Sequence, residues 1–456
     1  MNDKEKYNGY PNPLASREEK LEKAYGLIYF RRMFYEWTNQ EIGSGSYTSR
    51  NERYTRYREY AAGMQSVEPY KDLIGASGDA SYLNLNWEIV PIIPKFIDVL
   101  VGGLTNQEYK IKCTAIDKLS QDKRSEDRLK KLTQMDLKDF TKEVAGLTGL
   151  PFDKEIENLP ENSEELDLYM ELTYKQAVEI AMEEGIALTF YLNDWEEVKK
   201  RILRDIVVLS IGGTKTSVED GQLRIRYVDP PNLITSYSTR PDFKEIQHAG
   251  EIVYMTIHEL KRIAGEEFSS EDYMNIAKSN LGKYGNPDKF SKRSEYFNGY
   301  EMAEYDSFKI AVLDGVFRSV DDLHYEKKDN RFGGYSVNKK KLGYTPPKKS
   351  KYERKQLKTK VENIYKGKYI IGTDYIFDYG LATNILRPKS NLSRAILPYS
   401  IYAPNILNMN NKGIVERMIP FADQIQLAHL KIQHLMSKAK PKGSAIELGA
   451  IENVGK

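Results

Sequence analysis

The segment of this chain that comes nearest to chemistry is Leu209-Ser-Ile-Gly-Gly-Thr-Lys-Thr-Ser, with glycines, a lysine and hydroxyls in close succession. A phosphate-cradling loop needs its lysine directly after a glycine and a further glycine earlier in the loop, because backbone N–H groups wrap the phosphates that the lysine reaches. Here Thr214 stands between Gly213 and Lys215, and no glycine occupies the earlier position. Nucleotide binding is therefore not expected, and the segment reads as a strand-to-turn junction. The five histidines are His248, His258, His324, His429 and His434. None forms an HExxH pair, and the last two are five residues apart, off a single helix face. No Gly-x-Ser-x-Gly occurs. Carboxylates are plentiful, but a sequence by itself brings no two of them together. No catalytic, cofactor-binding or metal-ligating residue is therefore assigned. No enzyme activity and no cofactor are expected.

Binding chemistry is better represented. Arg53, Tyr54, Arg56, Tyr57, Arg58 and Tyr60 interleave arginine with tyrosine, a pattern that stacks on bases and binds phosphate. The same pattern fits an amphipathic helix whose tyrosines pack and whose arginines are solvated. Residues 327–368 hold fifteen Lys or Arg against three acids. That stretch fits an acidic partner, DNA or a solvated loop, and Pro346-Pro347 within it argues for a loop.

These segments sit in a chain of 456 residues, enough for two to four domains at roughly 100–200 residues each. Its 68 basic and 66 acidic residues give a net charge of +2. A protein that coats DNA throughout would be basic throughout. The single cysteine, Cys113, excludes an internal disulfide framework and a cysteine-based zinc cluster within the chain. It fits a reducing cytoplasm, and the alternation Tyr109, Ile111, Cys113 predicts a buried strand position for it. No signal peptide is read in Met1–Arg17. The most apolar stretch, 89–104, is interrupted by Pro91, Pro94, Lys95 and Asp98, short of the roughly 20 residues of a membrane helix. Tyrosine is abundant, with 33 residues. It suits wet protein interfaces, and drift in an AT-rich genome also produces it.

The elements that must position these residues are partly legible. Periodicity predicts a helix over 18–39 with Leu21, Ala24, Tyr25, Ile28, Tyr29, Arg32 and Met33 on one stripe, ended by Gly43-Ser-Gly-Ser. It predicts further helices at 94–105, ended by Gly102-Gly103, and at 119–144 and 172–191. In the last, Ala177, Ile180, Ala181, Ile186 and Leu188 are spaced for packing. An acidic linker (153–171) lies between these two, and 195–211 continues as a helix or strand-bound segment. Residues 109–114 alternate as a strand. From Val218 the texture is β: Leu223, Ile225 and Tyr227 alternate, Asp229-Pro-Pro-Asn signals a turn, and 251–256 and 308–318 read as strands. Thr256-Ile-His-Glu-Leu has the form of a capped helix start. Residues 369–377 return to strand. After Gly413, Met418, Phe421, Ala422, Ile425, Ala428, Ile432, Leu435 and Met436 recur at helical steps, a helix of roughly five turns. Pro420 belongs to its first turn or kinks it, and Pro441 and Gly443 end it. No repeat of 20–50 residues is present. The class is α+β.

Three segments, in this order, resemble tailed-bacteriophage portal proteins, most of all those of crAss-like phages. The first is Asn86-Trp-Glu-Ile-Val-Pro with Pro94-Lys-Phe-Ile-Asp-Val-Leu-Val-Gly. The second is Tyr227-Val-Asp-Pro-Pro-Asn-Leu-Ile through Ser236-Tyr-Ser, Phe243 and Ala249-Gly to Met255-Thr-Ile-His-Glu-Leu. The third is Ile414-Val-Glu-Arg-Met-Ile-Pro-Phe-Ala-Asp. The resemblance spans residues 50–440 and rests on the order of the segments, since no one of them has the specificity of a metal site. It implies a portal-like subunit with a mixed α/β wing, a helical stem and a small β-containing clip. By position, 1–310 is wing including any first stem helix, 311–390 clip, 391–440 stem or channel helix, and 441–456 the start of a tunnel loop or a disordered end. No segment reads as the first stem helix. In the family more chain follows, so this sequence is expected to be a fragment or the ordered part.

The resemblance implies a homo-oligomeric ring of about twelve copies at the unique capsid vertex of a virion, assembled in the bacterial host cytoplasm. Its partners would be double-stranded DNA without sequence specificity, the terminase packaging motor, the major capsid protein and tail adaptor proteins, with no membrane. A ring repeats each side chain, and DNA carries a charge about every 1.7 Å. Lys431, Lys438, Lys440 and Lys442 are the candidate DNA-channel belts, and capping of the helix C-terminus by cations is their other reading. Lys339, Lys340, Lys341, Lys348, Lys349, Lys351 and Arg354 are the candidate clip residues for docking a partner. The alternatives are a DNA-processing enzyme, such as a metal-dependent nuclease, and another virion structural protein, an adaptor or capsid subunit.

Overall fold

The structure, a computed structural model, describes residues 6–7, 9–38, 47–74, 85–148, 160, 162–219, 221–280, 309–329, 334–340, 345, 354–407 and 409–438. In chain order its elements begin with β1 (Lys6–Tyr7), β2 (Tyr10–Pro11), α1 (Arg17–Lys20), α2 (Lys23–Thr38), α3 (Tyr47–Ala62), α4 (Glu68–Ile74) and α5 (Ile92–Thr105). Next come α6 (Lys118–Asp136), α7 (Lys138–Thr148), α8 (Ser163–Leu172), α9 (Ala177–Leu192) and α10 (Trp195–Leu209). Then follow β3 (Gly212–Glu219), β4 (Gln222–Val228), β5 (Leu233–Thr235), β6 (His248–Met255), α11 (Ile257–Ala264) and α12 (Ser270–Asn280). Last are β7 (Ile310–Asp329), β8 (Tyr335–Lys340), β9 (Arg354–Ile370), β10 (Ile376–Leu381), β11 (Tyr399–Tyr402), β12 (Ile406–Leu407), β13 (Asn410–Asn411) and α13 (Ile414–Lys438). The fold is α+β. It divides into two compact units, one of residues 1–105 with 198–456 and one of residues 106–197.

The larger unit is organised by an antiparallel sheet in the order β10-β9-β7-β6-β5, with β8 pairing the far half of β7. Helix α2 lies on one face of it. The contact is set by three glycines aligned across neighbouring strands: Gly250 opposite Gly315, and Gly315 opposite Gly367. A β-carbon at Gly315 or Gly367 would come within 2.7–2.8 Å of the Phe30 ring, and one at Gly250 within 2.8 Å of the Met33 side chain. The row thus forms a groove that only glycine leaves open, and α2 seats Phe30 and Met33 in it. Tyr25, Trp37, Ile252, Leu313, Phe317, Tyr365 and Tyr369 complete this core. The opposite face packs on α11 and α12 through Leu260, Ala264, Ile276, Val312 and Ile370. A further core gathers Val316 and Ile364 with Phe243, Leu397 and Tyr399. The helices α3, α5, α10 and α13 share a fourth core, in which Tyr54, Tyr57 and Tyr60 pack against Ile93, Ile97, Val208, Val415 and Ile419.

Several expectations hold in detail. The start of α11 is capped: Thr256 Oγ1 accepts the Glu259 N–H at 3.3 Å, and the Glu259 carboxylate accepts the Thr256 N–H at 2.8 Å. Asp229-Pro-Pro-Asn is a turn, with a short 3₁₀ segment over Pro230–Asn232. Others are corrected. The first long helix breaks after Lys20 and restarts at Lys23, and its buried residues are Tyr25, Gly26, Phe30, Met33 and Trp37, while Leu21 and Ala24 are exposed. Gly102-Gly103 does not end α5, which runs to Thr105. The charged helix is two helices, α6 and α7, separated at Leu137. Strands β9 and β10 are parted by a turn at 371–375 where one strand was expected. The run 109–114 pairs with no strand among the described residues, and Cys113 is only partly buried. Its backbone N–H is instead satisfied by the Glu183 carboxylate at 2.9 Å, which removes the need for a ladder partner. The expected helix stop at residues 43–46 lies outside the described residues.

The unit 106–197 is helical. Within it α6 and α8 are joined by the Arg128–Asp167 ion pair, at 2.7 Å, and by the bond from Arg124 to the Met170 carbonyl. Among its described residues the only buried apolar side chains are Leu166 and Met170.

Candidate functional surfaces

The nucleotide-loop look-alike is structural. It is a helix-to-strand junction, not a strand-to-turn one: α10 ends at Leu209, Ser210 takes a φ of 59°, and β3 begins at Gly212. Lys215 points into the molecule, 2.6 Å from Asp314 and 3.2 Å from Glu251, and Arg226 holds the same Glu251 at 3.0 Å. Burial opposes the Lys215 charge, but the facing carboxylates outweigh it and raise its pKa. Asp314, whose burial acts the other way, is held below the ordinary carboxylate range by Lys215 and Lys368. A lysine so engaged is not available to a phosphate.

The arginine–tyrosine segment is α3, and its tyrosines are core residues. Arg58 donates to Asp229 at 2.6 Å and to Asp205 at 3.1 Å. Tyr227 also donates to Asp205. Burial is the main influence on Asp205 and raises its pKa, with Arg58 opposing. A cavity of about 300 Å³ lies here, lined by Arg58, Arg201, Arg204, Asp205 and Tyr227 among others. With Arg58 committed to two carboxylates, the packing role accounts for this segment.

Helix α13 is where the geometry departs furthest from expectation. Its inward residues are partly polar. Asp423 accepts hydrogen bonds from Tyr60 at 2.7 Å and Tyr70 at 2.6 Å. Gln426, 1 % exposed, accepts the Val90 N–H at 2.9 Å and donates to the Glu88 carbonyl at 3.0 Å. Gln433 accepts the Asn86 N–H at 3.1 Å. The helix thereby clasps the backbone of residues 86–90 along its length. Val415, Ile419, Ala422 and Leu430 are its buried apolar residues. Of the predicted stripe, Ala422 is buried and Met418 packs against the core, while Phe421, Ile425, Ile432, Leu435 and Met436 are 44–72 % exposed. Periodicity shows that apolar positions share a face; it does not show which way the face turns. The polar residues at 423, 426 and 433 fall on one side of the helix at i, i+3 and i+10, and that was the available signal. Pro420 lies inside the helix. Beside α13, helix α5 also leaves Phe96, Val99, Leu100 and Leu104 36–75 % exposed.

Of the candidate channel lysines, Lys431 is exposed on α13. Lys438 is the last residue of that helix, and Lys440 and Lys442 lie outside the described residues.

The basic stretch forms an arm of three strands, β8-β7-β9. Basic residues hold opposed positions in its register: Lys327 opposite Lys355 and Lys328 opposite Arg354, and His324 lies between Lys340 and Lys358. Lys340 is 3.1 Å from Glu326, and the Lys327 ammonium lies 4.2 Å from the Tyr335 ring centroid. Lys339, Lys358 and Lys360 are exposed. Directly opposed like charges destabilise a sheet pair, so the arm keeps its cations at a cost. Lys341, Lys348, Lys349 and Lys351, with the loop expected at Pro346-Pro347, lie outside the described residues.

Among the described residues, no group of three or more His, Cys, Asp or Glu is placed to hold a metal ion, and no helix is long and apolar enough to cross a membrane. The sequence matches no protein-family model and no curated protein.

Proposed function

We propose that this chain is a subunit of a portal-like ring, a structural protein through which double-stranded DNA passes at a capsid vertex, and not an enzyme. One observation carries the reading. Helix α13 turns hydrogen-bonding residues toward its own chain and a bare apolar stripe outward. Single exposed apolar residues are ordinary, but a continuous uncharged stripe on a long helix marks a surface made to be covered. This is what a subunit of a larger assembly requires. Its position after the β arm supports the order wing, clip and stem inferred from sequence.

The arm supports the docking part of the reading. Cations held opposite one another gain most from an acidic partner, which speeds encounter and fixes register. In the family order that partner is the packaging motor or a tail adaptor. Lys431, one position from the stripe, becomes a belt of charge when the helix is repeated around a ring, and such a belt contacts phosphates without reading bases.

End-on electron microscopy of the purified chain, with mass photometry, tests this. Rings of about twelve copies with a central hole are expected for a closed cyclic assembly. A uniform monomer at micromolar concentration overturns the reading.

A further inference from the structure

We infer that the outward face of α9, in the unit 106–197, is a seam that seats on a second copy of this chain. The inference deepens the assembly reading above and rests on it.

Helix α9 is built like α13, polar side in. Glu179, 3 % exposed, accepts the Ala115 N–H at 2.8 Å and the Gln176 N–H at 2.9 Å. Glu183 takes the Cys113 N–H, and the Gln176 side chain donates to the Ser120 carbonyl at 2.7 Å. The carboxylates of the helix thus hold the extended segment before α6. That leaves Val178, Met182, Leu188 and Leu192 on the far side, 52–57 % exposed, at steps of four, six and four residues. At 100° per residue these four fall within one stripe about a third of the circumference wide. Gly185, in the middle of the stripe, has nothing within 4 Å of the position a β-carbon would take. A partner can therefore approach the helix backbone closely there.

The unit has little else to hold it. Leu166 and Met170 are its only buried apolar side chains among the described residues, a small core for those residues. The bare stripe of α9 is apolar area open to a partner.

Charge identifies the cover. Residues 106–197 carry 22 acids against 12 bases, a net of −10; the rest of the chain carries 56 bases against 44 acids, a net of +12. Two acidic units repel one another, whereas the basic unit of another copy attracts them. That basic unit also offers bare apolar helix faces on α5 and α13. The ten exposed large apolar side chains there form a face on the scale of the roughly 800 Å² that one partner contributes to a stable interface. Contact between unlike faces of identical chains is heterologous, and it propagates into a closed ring or a filament.

The test uses the whole 456-residue chain. Mass photometry compares the wild type with Met182→Glu/Leu188→Glu, circular dichroism confirming unchanged helix content. A Cys113→Ser/Met182→Cys/Met436→Cys chain, with one thiol on α9 and one on α13, is treated with a bismaleimide crosslinker in parallel, which reads the seam without adding charge. Expected are wild-type oligomers, association weakened at least tenfold in the double variant, and a ladder of covalent multimers from the cysteine chain. Oligomers that survive the double substitution and give no ladder overturn the seam and leave the ring reading standing. Wild-type chains that stop at dimers overturn both the heterologous seam and the ring. A wild-type monomer overturns both.

Discussion

The sheet beneath α2 and the helical unit 106–197 solve opposite problems with the same residue types. Under α2 every large side chain has a place: Phe30 and Met33 fill the glycine groove, and the ring of Phe317 stacks on Tyr29 at 3.8 Å between centroids and on Tyr365 at 5.3 Å. Even the charges are satisfied inside, as Lys20 with Asp321 at 3.2 Å and Lys215 with Asp314. In the helical unit the carboxylates are spent on backbone N–H groups, and leucines face outward. The difference teaches that burial here is divided by purpose. One region is finished within the chain, and the other presents apolar surface for a later contact. Substitutions should therefore cost stability steeply in the first region and hardly at all on the bare faces of the second.

The largest effect is expected at Lys215. Replacing it with methionine leaves Asp314 and Glu251 facing each other, with Arg226 as the remaining cation near Glu251, and Lys368 and Arg226 still acting on Asp314. Stranding buried carboxylates costs about 3–5 kcal/mol, read as a lower urea midpoint in chemical unfolding. A loss below about 1 kcal/mol would place this cluster among solvent-screened pairs and weaken the contrast.

Acid should reach the same region through His248, which is 4 % exposed and whose pKa burial lowers to about 4. Its neighbours are Tyr29, whose hydroxyl is 3.4 Å from Nδ1, and the Tyr10 ring. Unfolded, the imidazole titrates near 6.5. The unfolded chain thus binds the proton more readily between pH 6.5 and 4, so stability falls as pH falls through that window and is unaffected by this group above it. At pH 4.5 the loss from His248 is about 2–3 kcal/mol. Unfolding of His248→Phe at pH 7 and pH 4.5 should show a drop smaller by that amount than the wild type's.

A third change acts on the groove itself. Gly315→Ala drives a methyl group to 2.7 Å from the Phe30 ring, and overpacking of this kind costs about 1–3 kcal/mol. Pairing it with Phe30→Leu, which makes room, should restore part of the loss. If the two losses simply add, the groove is not what seats α2.

How much of this was legible depends on which physical signal each part leaves in sequence. The capped start of α11 was read correctly because its determinants, Thr256 and Glu259, lie within one turn. The glycine row was not, because Gly250, Gly315 and Gly367 are distant in sequence and become neighbours only through strand register. Lys215 looked like a poor phosphate ligand and proved to be a buried ion-pair partner, since Asp314 lies 99 positions away. The apolar spacing on α13 showed a helix, but not that most of its stripe would lie exposed. Leu137 separates α6 from α7 without a proline or glycine, so no local breaker announced the division. Of the candidate docking residues, Lys339 and Lys340 fall on β8, but the strand pairing that sets Lys327 against Lys355 is a tertiary fact.

The smallest effect is the most informative about the helical unit. In dilute, monomeric chain, Leu188→Ser should change the unfolding free energy by less than about 0.5 kcal/mol. The side chain is already 57 % exposed, so unfolding transfers little more of it to water, and what remains is mostly the modest difference in helix propensity. Leu166→Ala, by contrast, empties a fully buried position on α8 and should cost about 2–5 kcal/mol. Both changes remove leucine atoms from the same unit, so the ratio of their costs measures how much of the α9 stripe its own chain covers. Should Leu188→Ser cost as much as Leu166→Ala at concentrations where the chain is alone, the stripe is buried within one molecule, and the contrast between a finished region and a waiting one no longer holds.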